Sequence, residues 1–212
     1  MEEQPVETTL YSLSDTAPSP ANRREGERLL TLYRVGSILI DDRRELCLIK
    51  NISSGGMMIR AYCDVAPDAR VSVELKCGQP IEGAVSWVRD SSVGIEFDTP
   101  VDVIDLLSTS MDGPRPRMPR IEVDCFATLR DGSNVLRTRV HDISQGGVKL
   151  ECATALASGS DVIATLPGLE PQASVVRWSD SGFIGITFNR LLALPVLVGW
   201  LEQQRSAMRA AS

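Results

Sequence analysis

The stretch Asn51-Ile-Ser-Ser-Gly-Gly56 is followed 91 residues later by the near-copy Asp142-Ile-Ser-Gln-Gly-Gly147. The same displacement relates seven further pairs of identical residues: Val71 and Val162, Leu75 and Leu166, Val85 and Val176, Trp87 and Trp178, Gly94 and Gly185, Ile95 and Ile186, and Phe97 and Phe188. A displacement that holds over this length without a gap indicates an internal repeat. The 212 residues are therefore expected to contain two copies of one domain of about 100 residues.

The residues around these pairs have the period of half-buried β-strands. Val71-Ser-Val-Glu-Leu-Lys76 alternates apolar and polar side chains, as a strand with one buried face does. Six strands are expected in the first copy, near residues 29–40, 45–50, 56–61, 70–76, 81–89 and 93–98, and six in the second, near 120–130, 134–141, 147–152, 161–166, 172–179 and 183–188. Short strands separated by Gly, Asp and Ser favour a closed or nearly closed antiparallel barrel, which removes exposed edges. The predicted fold class is all-β: two tandem six-stranded antiparallel β-barrels, each followed by a short C-terminal helix.

A helix is predicted after each barrel. In the first copy it covers residues 101–107, and Pro100 fits its start. In the second copy Pro195 could open a helix on which Leu197, Trp200 and Leu201 form one apolar face. The polar residues 203–205 are then expected to continue into a frayed end.

Composition sets the expected domain boundaries. Residues 1–20 contain acidic but no basic side chains and end in Ala-Pro-Ser-Pro, which predicts a disordered acidic tail. The first domain is expected over residues 21–110 and the second, with its helix, over 120–212. The segment 111–119 contains three prolines and one glycine, a composition typical of a linker.

Charge and residue usage exclude several functions. A net charge of −6 argues against a general nucleic-acid binder, because neutralising a phosphate backbone requires a basic face. The five cysteines include no CxxC pair, and the single His141 leaves no second imidazole for a shared metal site. We expect free thiols in a reducing compartment, no metal and no catalysis. No apolar run reaches the about 18 residues of a membrane span, so we expect a cytoplasmic protein without membrane insertion.

Arginines precede the first strand at a defined distance from the repeated turn. Arg24 and Arg28 have the spacing RxxxR, and Asn51, Ser53 and Gly56 form NxSxxG, which begins 23 residues after Arg28. Both motifs, in this order and inside an all-β repeat, resemble the signature of the PilZ family. The resemblance implies six-stranded barrels that bind the bacterial second messenger cyclic di-GMP.

This resemblance covers residues 22–100 and 115–190 and implies a role for each motif. In the family the arginine pair holds phosphates and guanines, and the turn reads a guanine. The residue types suit these roles, because a guanidinium pairs bidentately with phosphate or with guanine O6 and N7 and stacks on bases. Two adjacent glycines would allow positive φ and close approach of a ligand. The predicted cyclic di-GMP site of the first copy consists of Arg23, Arg24, Arg28, Asn51, Ser53, Gly55 and Gly56.

The second copy keeps the turn but departs from the arginine motif. Aligning Arg120 with Arg28 places Pro116 where the first arginine should be, and prolines restrict the segment that would fold over a ligand. A structural or partner-facing role is therefore favoured for this copy. Its weaker candidate site consists of Arg115, Arg117, Arg120, Asp142, Ser144 and Gly147.

The resemblance thus implies a receptor that binds cyclic di-GMP mainly through its first domain and requires no cofactor. Because no catalytic or DNA-binding module is present, it would signal by contact with an unidentified effector protein. One alternative is a PilZ-fold adaptor that binds only protein. Another is an OB-like nucleic-acid binder, which the charge and the ten aromatic residues disfavour. Trp87 and Trp178 are expected to pack in a core or against a helix rather than stack on a base.

Overall fold

The computed structural model describes residues 30–75, 80–107 and 118–211. The predicted acidic tail and most of the predicted linker lie outside these ranges. The first barrel consists of β1 (Leu30–Ile40), β2 (Arg43–Ile52), β3 (Gly56–Ala61), β4 (Arg70–Glu74), β5 (Pro80–Arg89) and β6 (Ser92–Phe97). The second consists of β7 (Ile121–Asp131), β8 (Asn134–Ser144), β9 (Gly147–Glu151), β10 (Asp161–Thr165), β11 (Gln172–Asp180) and β12 (Phe183–Phe188).

Both sheets close into antiparallel barrels. The first has the strand order β1-β2-β3-β6-β5-β4, and the second has the corresponding order β7-β8-β9-β12-β11-β10, read around the ring. Inward-facing aliphatic side chains alternate with outward-facing ones along each strand, as a barrel with a filled interior requires. The first core is formed by residues such as Ile38, Ile49, Ile59 and Val73, none of which is exposed. The predicted fold class is confirmed.

The second barrel repeats the register of the first at the same displacement of 91. Leu30 pairs with Ile52, and Ile121 pairs with Ile143. Each first strand also has a register shift at the same place, between Thr31 and Arg34 in β1 and between Glu122 and Cys125 in β7. Irregularities that recur at corresponding positions are conformational features of the domain. The internal repeat is therefore present in the structure as well as in the sequence.

The two helices differ in length. The short helix α1 (Val103–Leu107) follows Asp102, whose Oδ1 accepts hydrogen bonds from the N–H groups of Ile104 at 2.9 Å and Asp105 at 3.0 Å. Asp102 is thus the N-cap, and the expectation that Pro100 starts the helix is wrong, because a side-chain acceptor fixes the first turn.

The second helix, α2 (Leu194–Ala211), is longer than expected. Leu197, Trp200 and Leu201 are buried as predicted, and the Trp200 indole N–H donates to the Pro167 carbonyl at 2.7 Å. The helix does not fray at residues 203–205 but continues to Ala211. No helix within the described ranges is long and apolar enough to cross a bilayer.

The C-terminal helix also joins the two barrels. Arg205 of α2 forms an ion pair at 2.5 Å with Glu45 of the first barrel, whose side chain is only 8% exposed. Next to it, Leu46 belongs to the apolar cluster of the second barrel, and Val35 and Tyr62 pack against that cluster. Residue 205, which the sequence placed in a frayed end, is therefore anchored by a buried carboxylate on the neighbouring domain.

Candidate functional site

The repeated turn of the first barrel is held by Ser53. Both donors of this buried residue point to the same acceptor: its N–H donates to the Gly56 carbonyl at 2.8 Å and its Oγ donates to it at 3.2 Å. The carbonyls of Ser54 and Gly55 accept from the N–H groups of Val101 and Phe97, each at 2.9 Å. The turn is therefore fixed between β2 and β3 and tied to the segment that leads into α1.

The second barrel builds the same turn. The Ser144 Oγ donates to the Gly147 carbonyl at 3.3 Å, and Phe188 N–H and Leu192 N–H donate to the carbonyls of Gly146 and Gln145. In both copies the serine of the signature therefore holds the turn. The contact of Ser53 with the ligand stays a prediction.

The structure also gives a reason for a glycine in this turn that the sequence did not reveal. Neither Gly55 nor Gly56, both within the described ranges, has a positive φ, so that expectation is wrong. A Cβ on Gly56 would lie 2.6 Å from the Ile95 carbonyl oxygen, closer than real Cβ contacts come. Gly56 is required because β3 begins against the backbone of β6.

Beside the turn, cross-strand pairing aligns four outward-facing residues. Asn51 pairs with Met58, Met58 with Gly94, and Gly94 with Trp87. The row crosses four strands, whose spacing of about 4.8 Å gives a width of about 14 Å. Asn51 is half-buried, and its side chain has no hydrogen-bond partner within the described chain. Its amide can therefore both donate to and accept from a ligand.

The tryptophan in this row lies on the outer surface, not in the core. Trp87 is 36% exposed, and its indole covers Gly94 so closely that a Cβ there would lie 2.1 Å from Nε1. The expected core or helix-packing role is wrong, because the register shift between Val85 and Trp87 turns the indole outward. Trp178 lies over Gly185 in the same way. The recurrence of this Trp–Gly pair in both copies was the feature of the sequence that could have indicated the outward position of the tryptophans.

Three cations border the indole and Asn51 on the same surface. Ser92 pairs with Arg60 on one side and Arg89 on the other, and Lys50 Nζ donates to Ser92 Oγ at 3.2 Å. The Arg89 guanidinium lies 5.6 Å from the centroid of the Trp87 ring. We call this surface, formed by Lys50, Asn51, Arg60, Trp87 and Arg89, the first-barrel wall. Of these residues, only Asn51 was predicted from the sequence to belong to the site.

The corresponding surface of the second barrel is more acidic, although Lys149, which pairs with Gly185 as Met58 pairs with Gly94, places one cation in it. The displacement of 91 replaces Lys50, Arg60 and Arg89 by His141, Glu151 and Asp180. We call the surface formed by His141, Asp142, Glu151, Trp178 and Asp180 the second-barrel wall. A cavity of about 430 Å³ beside it is lined by three carboxylates and one arginine: Glu122, Asp124, Glu151 and Arg139.

Two arginines of the second copy are engaged by carboxylates. Arg120 donates to Oδ1 of the mostly buried Asp142 at 3.0 Å. Arg139 Nε donates to Asp124 at 2.8 Å. The Asp142 carboxylate of the turn is therefore already engaged by Arg120.

The strand register also revises the arginine alignment. β1 and β7 begin at Leu30 and Ile121, again 91 residues apart. Continued without a gap, this displacement places Arg115 at the position of Arg24 and Pro119 at that of Arg28. The alignment of Arg120 with Arg28 is therefore displaced by one residue. The second copy still lacks one arginine of the pair, but the missing one is the second.

The structure thus brings together part of each predicted site. In the first copy it unites Asn51, Ser53, Gly55 and Gly56. In the second it unites Arg120, Asp142, Ser144 and Gly147. The other predicted residues lie outside the described ranges: Arg23, Arg24, Arg28, Arg115 and Arg117.

The thiols show no activation towards nucleophilic chemistry. Burial raises the pKa of the Cys47 thiol to about 12. Burial likewise raises the pKa of Cys63 and of Cys125 to about 11 each. Since the thiolate is the nucleophilic form, these three residues are unreactive near neutral pH. All four cysteines of the described ranges are free.

Two small antiparallel barrels with a fixed polar turn at corresponding positions define the class of protein. The chain matches the family described as PilZ domain twice, over residues 22–109 and 114–194, and these segments include both barrels. The protein belongs to the PilZ family and contains two copies of its domain. No curated protein sequence matches the chain significantly.

Solved structures with similarity to the chain include the following three. PlzA of Borreliella burgdorferi in complex with c-di-GMP is 13% identical, with 84% of this chain and 93% of that chain covered and a TM-score of 0.36. The MrkH–c-di-GMP complex of K. pneumonia is 14% identical, with 87% and 100% covered and a TM-score of 0.35. YcgR of Escherichia coli in complex with c-di-GMP is 13% identical, with 84% and 86% covered and a TM-score of 0.32. The family assignment rests on the matched segments and not on these superpositions.

Proposed function

We propose that this protein is a cytoplasmic, non-enzymatic receptor that binds cyclic di-GMP mainly through its first barrel and requires no cofactor. It passes the binding state on by contact with an effector protein. The observation that carries the proposal is the first-barrel wall, where an exposed indole and three cations adjoin the signature turn. Such a surface suits a ligand with two purine rings and two phosphates.

Each part of the ligand has a matching group. A guanine can stack on the Trp87 indole, since base–aromatic stacking contributes about 1–3 kcal/mol per base. The Asn51 amide offers a donor and an acceptor to a guanine edge. Lys50, Arg60 and Arg89 favour the phosphates through charge-assisted hydrogen bonds.

The first described strand begins beside this wall. Thr31 of β1 pairs with Asn51 of β2, so β1 begins next to the turn. Arg28 is two residues before Leu30, a distance of at most about 7 Å along the chain. In the proposal Arg24 and Arg28 complete the site by closing over a nucleotide that rests on the wall.

Gly94 and Gly185 each lie beneath a tryptophan indole and therefore provide a matched pair of variants. Gly94→Ala should displace Trp87 from the first-barrel wall and weaken cyclic di-GMP binding about tenfold, in line with the loss of one stacked base. Gly185→Ala should displace Trp178 in the same way without changing affinity. Tryptophan fluorescence reports both displacements, and calorimetry reports the affinity. Equal affinity losses in the two variants would remove the assignment to the first barrel.

The second barrel is expected to contribute little to nucleotide affinity. Arg115→Ala and Arg120→Ala in the full chain should each leave affinity within a factor of about three, under about 0.7 kcal/mol. The reason is the acidic second-barrel wall and the engagement of Arg120 with Asp142. Calorimetric titration measures both variants. A loss of tenfold or more, or two ligands bound per chain, would contradict the role given to this domain.

In the proposed relay, β2 connects the first-barrel wall to the contact between the two domains. β2 carries Asn51 near one end and Glu45 and Leu46, which contact the second domain, near the other. A nucleotide that draws the arginine segment onto the wall alters the surface near this strand and near the N-terminal tail. Effector binding with and without cyclic di-GMP tests this part of the proposal, and a partner that binds equally in both conditions would contradict it.

A further inference from the structure

An outer face of the second barrel carries exposed apolar groups. Phe126, Val135 and Ile163 are 48%, 58% and 42% exposed. Arg130 pairs directly with Val135 on one side and with Ile163 on the other, so these side chains share one face of β7, β8 and β10. We call the set Phe126, Arg130, Val135, Arg137 and Ile163 the β7–β8–β10 face. No other part of the described chain covers it.

The same face is cationic. The Arg137 guanidinium lies 4.2 Å from the centroid of the Phe126 ring, a distance at which a cation and an aromatic ring attract. Neither Arg130 nor Arg137 forms an ion pair with any residue in the described ranges, whereas the neighbouring Arg139 is engaged by Asp124. A chain with a net charge of −6 thus presents, on one face, an arginine over Phe126 and a second arginine between Val135 and Ile163, neither of them in an ion pair within the described ranges.

Part of the equivalent face of the first barrel packs against the second domain. Phe126 and Arg137 correspond to Val35 and Leu46, and these two residues pack against the second domain. The helix α2 contacts the first barrel beside them, through the ion pair between Arg205 and Glu45. Within this chain, the positions equivalent to Phe126 and Arg137 are therefore covered by the neighbouring domain, whose helix lies beside them.

We propose that the β7–β8–β10 face binds an acidic amphipathic helix of the effector protein. Phe126, Val135 and Ile163 would receive its apolar stripe, and Arg130 and Arg137 would pair with carboxylates flanking it, since aromatic and arginine side chains dominate binding at interfaces. The helix α2 of a second copy could not supply the apolar stripe, because Leu197, Trp200 and Leu201 are buried against its own barrel. The inference rests on the protein-contact part of the proposed function and is independent of nucleotide binding.

A designed peptide tests the face directly. The probe is a fluorescent helix of about five turns with a leucine stripe flanked by Glu, and its control carries Lys in place of each Glu. The full chain should bind the Glu peptide saturably and the Lys peptide not at all. Arg137→Glu should weaken the Glu peptide at least about tenfold and create binding of the Lys peptide. Arg190→Glu, which reverses an exposed charge outside the face, should change neither.

Other outcomes overturn the assignment. Equal binding of both peptides, equal affinities for Arg137→Glu and Arg190→Glu, or no saturable binding would each do so. Sedimentation showing a dimer that Arg137→Glu dissociates would assign the face to a second copy. Stronger peptide binding after deletion of residues 1–20 would assign it to the acidic tail. Cyclic di-GMP calorimetry on Arg137→Glu should match the unmodified chain, so failure of the nucleotide proposal is recognised separately.

Discussion

Arg24→Ala or Arg28→Ala is expected to weaken cyclic di-GMP binding by at least about 2 kcal/mol, which is about thirtyfold. Each substitution removes a charged group that can bond bidentately to a phosphate or a guanine edge, and hydrogen bonds to charged groups contribute about 1.5–3 kcal/mol. The loss is larger where a phosphate is left without a partner. Titration calorimetry on the full chain measures the effect.

The matched control for this substitution is Arg115→Ala, which removes the arginine at the corresponding position of the second copy. Arg24→Lys provides a second control, because it keeps the charge and loses the bidentate geometry. It should fall between the unmodified chain and Arg24→Ala. If Arg24→Ala binds as the unmodified chain does, or if Arg115→Ala loses as much affinity, the motif does not have the role assigned to it.

Arg205→Ala is expected to destabilise the protein by about 3 kcal/mol, because it leaves the charge of Glu45 buried without its partner. The Glu45 side chain is 8% exposed, whereas that of Arg205 is 33% exposed, so the cost falls mainly on the carboxylate. The ion pair joins α2 to the first barrel, and its loss should loosen the contact between the domains. Urea denaturation followed by circular dichroism measures the change.

Two controls separate the buried pair from a general effect on the helix. Arg209→Ala removes an exposed arginine one turn further along α2 and should cost less than about 0.5 kcal/mol. The double variant Glu45→Leu with Arg205→Leu removes both charges and should recover much of the stability lost in Arg205→Ala. Equal destabilisation by Arg205→Ala and Arg209→Ala would show that the contact with Glu45 contributes nothing specific.

The fold could be predicted from sequence because the repeat supplies two independent observations of each strand. The displacement of 91 holds from Leu30 and Ile121 at the first strands to Phe97 and Phe188 at the last. Alternation alone failed at Trp87, because the register shift after Val85 reverses which side of the sheet the following residues face. A shift of this kind leaves no mark in the alternation of a single strand.

The site could be predicted only where its residues are neighbours in sequence. The turn from Asn51 to Gly56 is local, and its motif was recognisable. Lys50, Arg60 and Arg89 come from three strands, so only the cross-strand register brings them together. The contact between Arg205 and Glu45 joins positions 160 residues apart, and composition does not indicate which carboxylate a helical arginine will contact.

The most direct test of the central claim is calorimetric titration of the full chain with cyclic di-GMP, with cyclic di-AMP and GTP as controls. The account predicts saturable binding of cyclic di-GMP and no binding of the other two at the same concentrations, because the proposed site reads two guanines and two phosphates together. Circular dichroism and urea unfolding of the same sample establish that both barrels are folded. Absence of cyclic di-GMP binding by this folded protein would contradict the account and identify the chain as an adaptor that binds only protein.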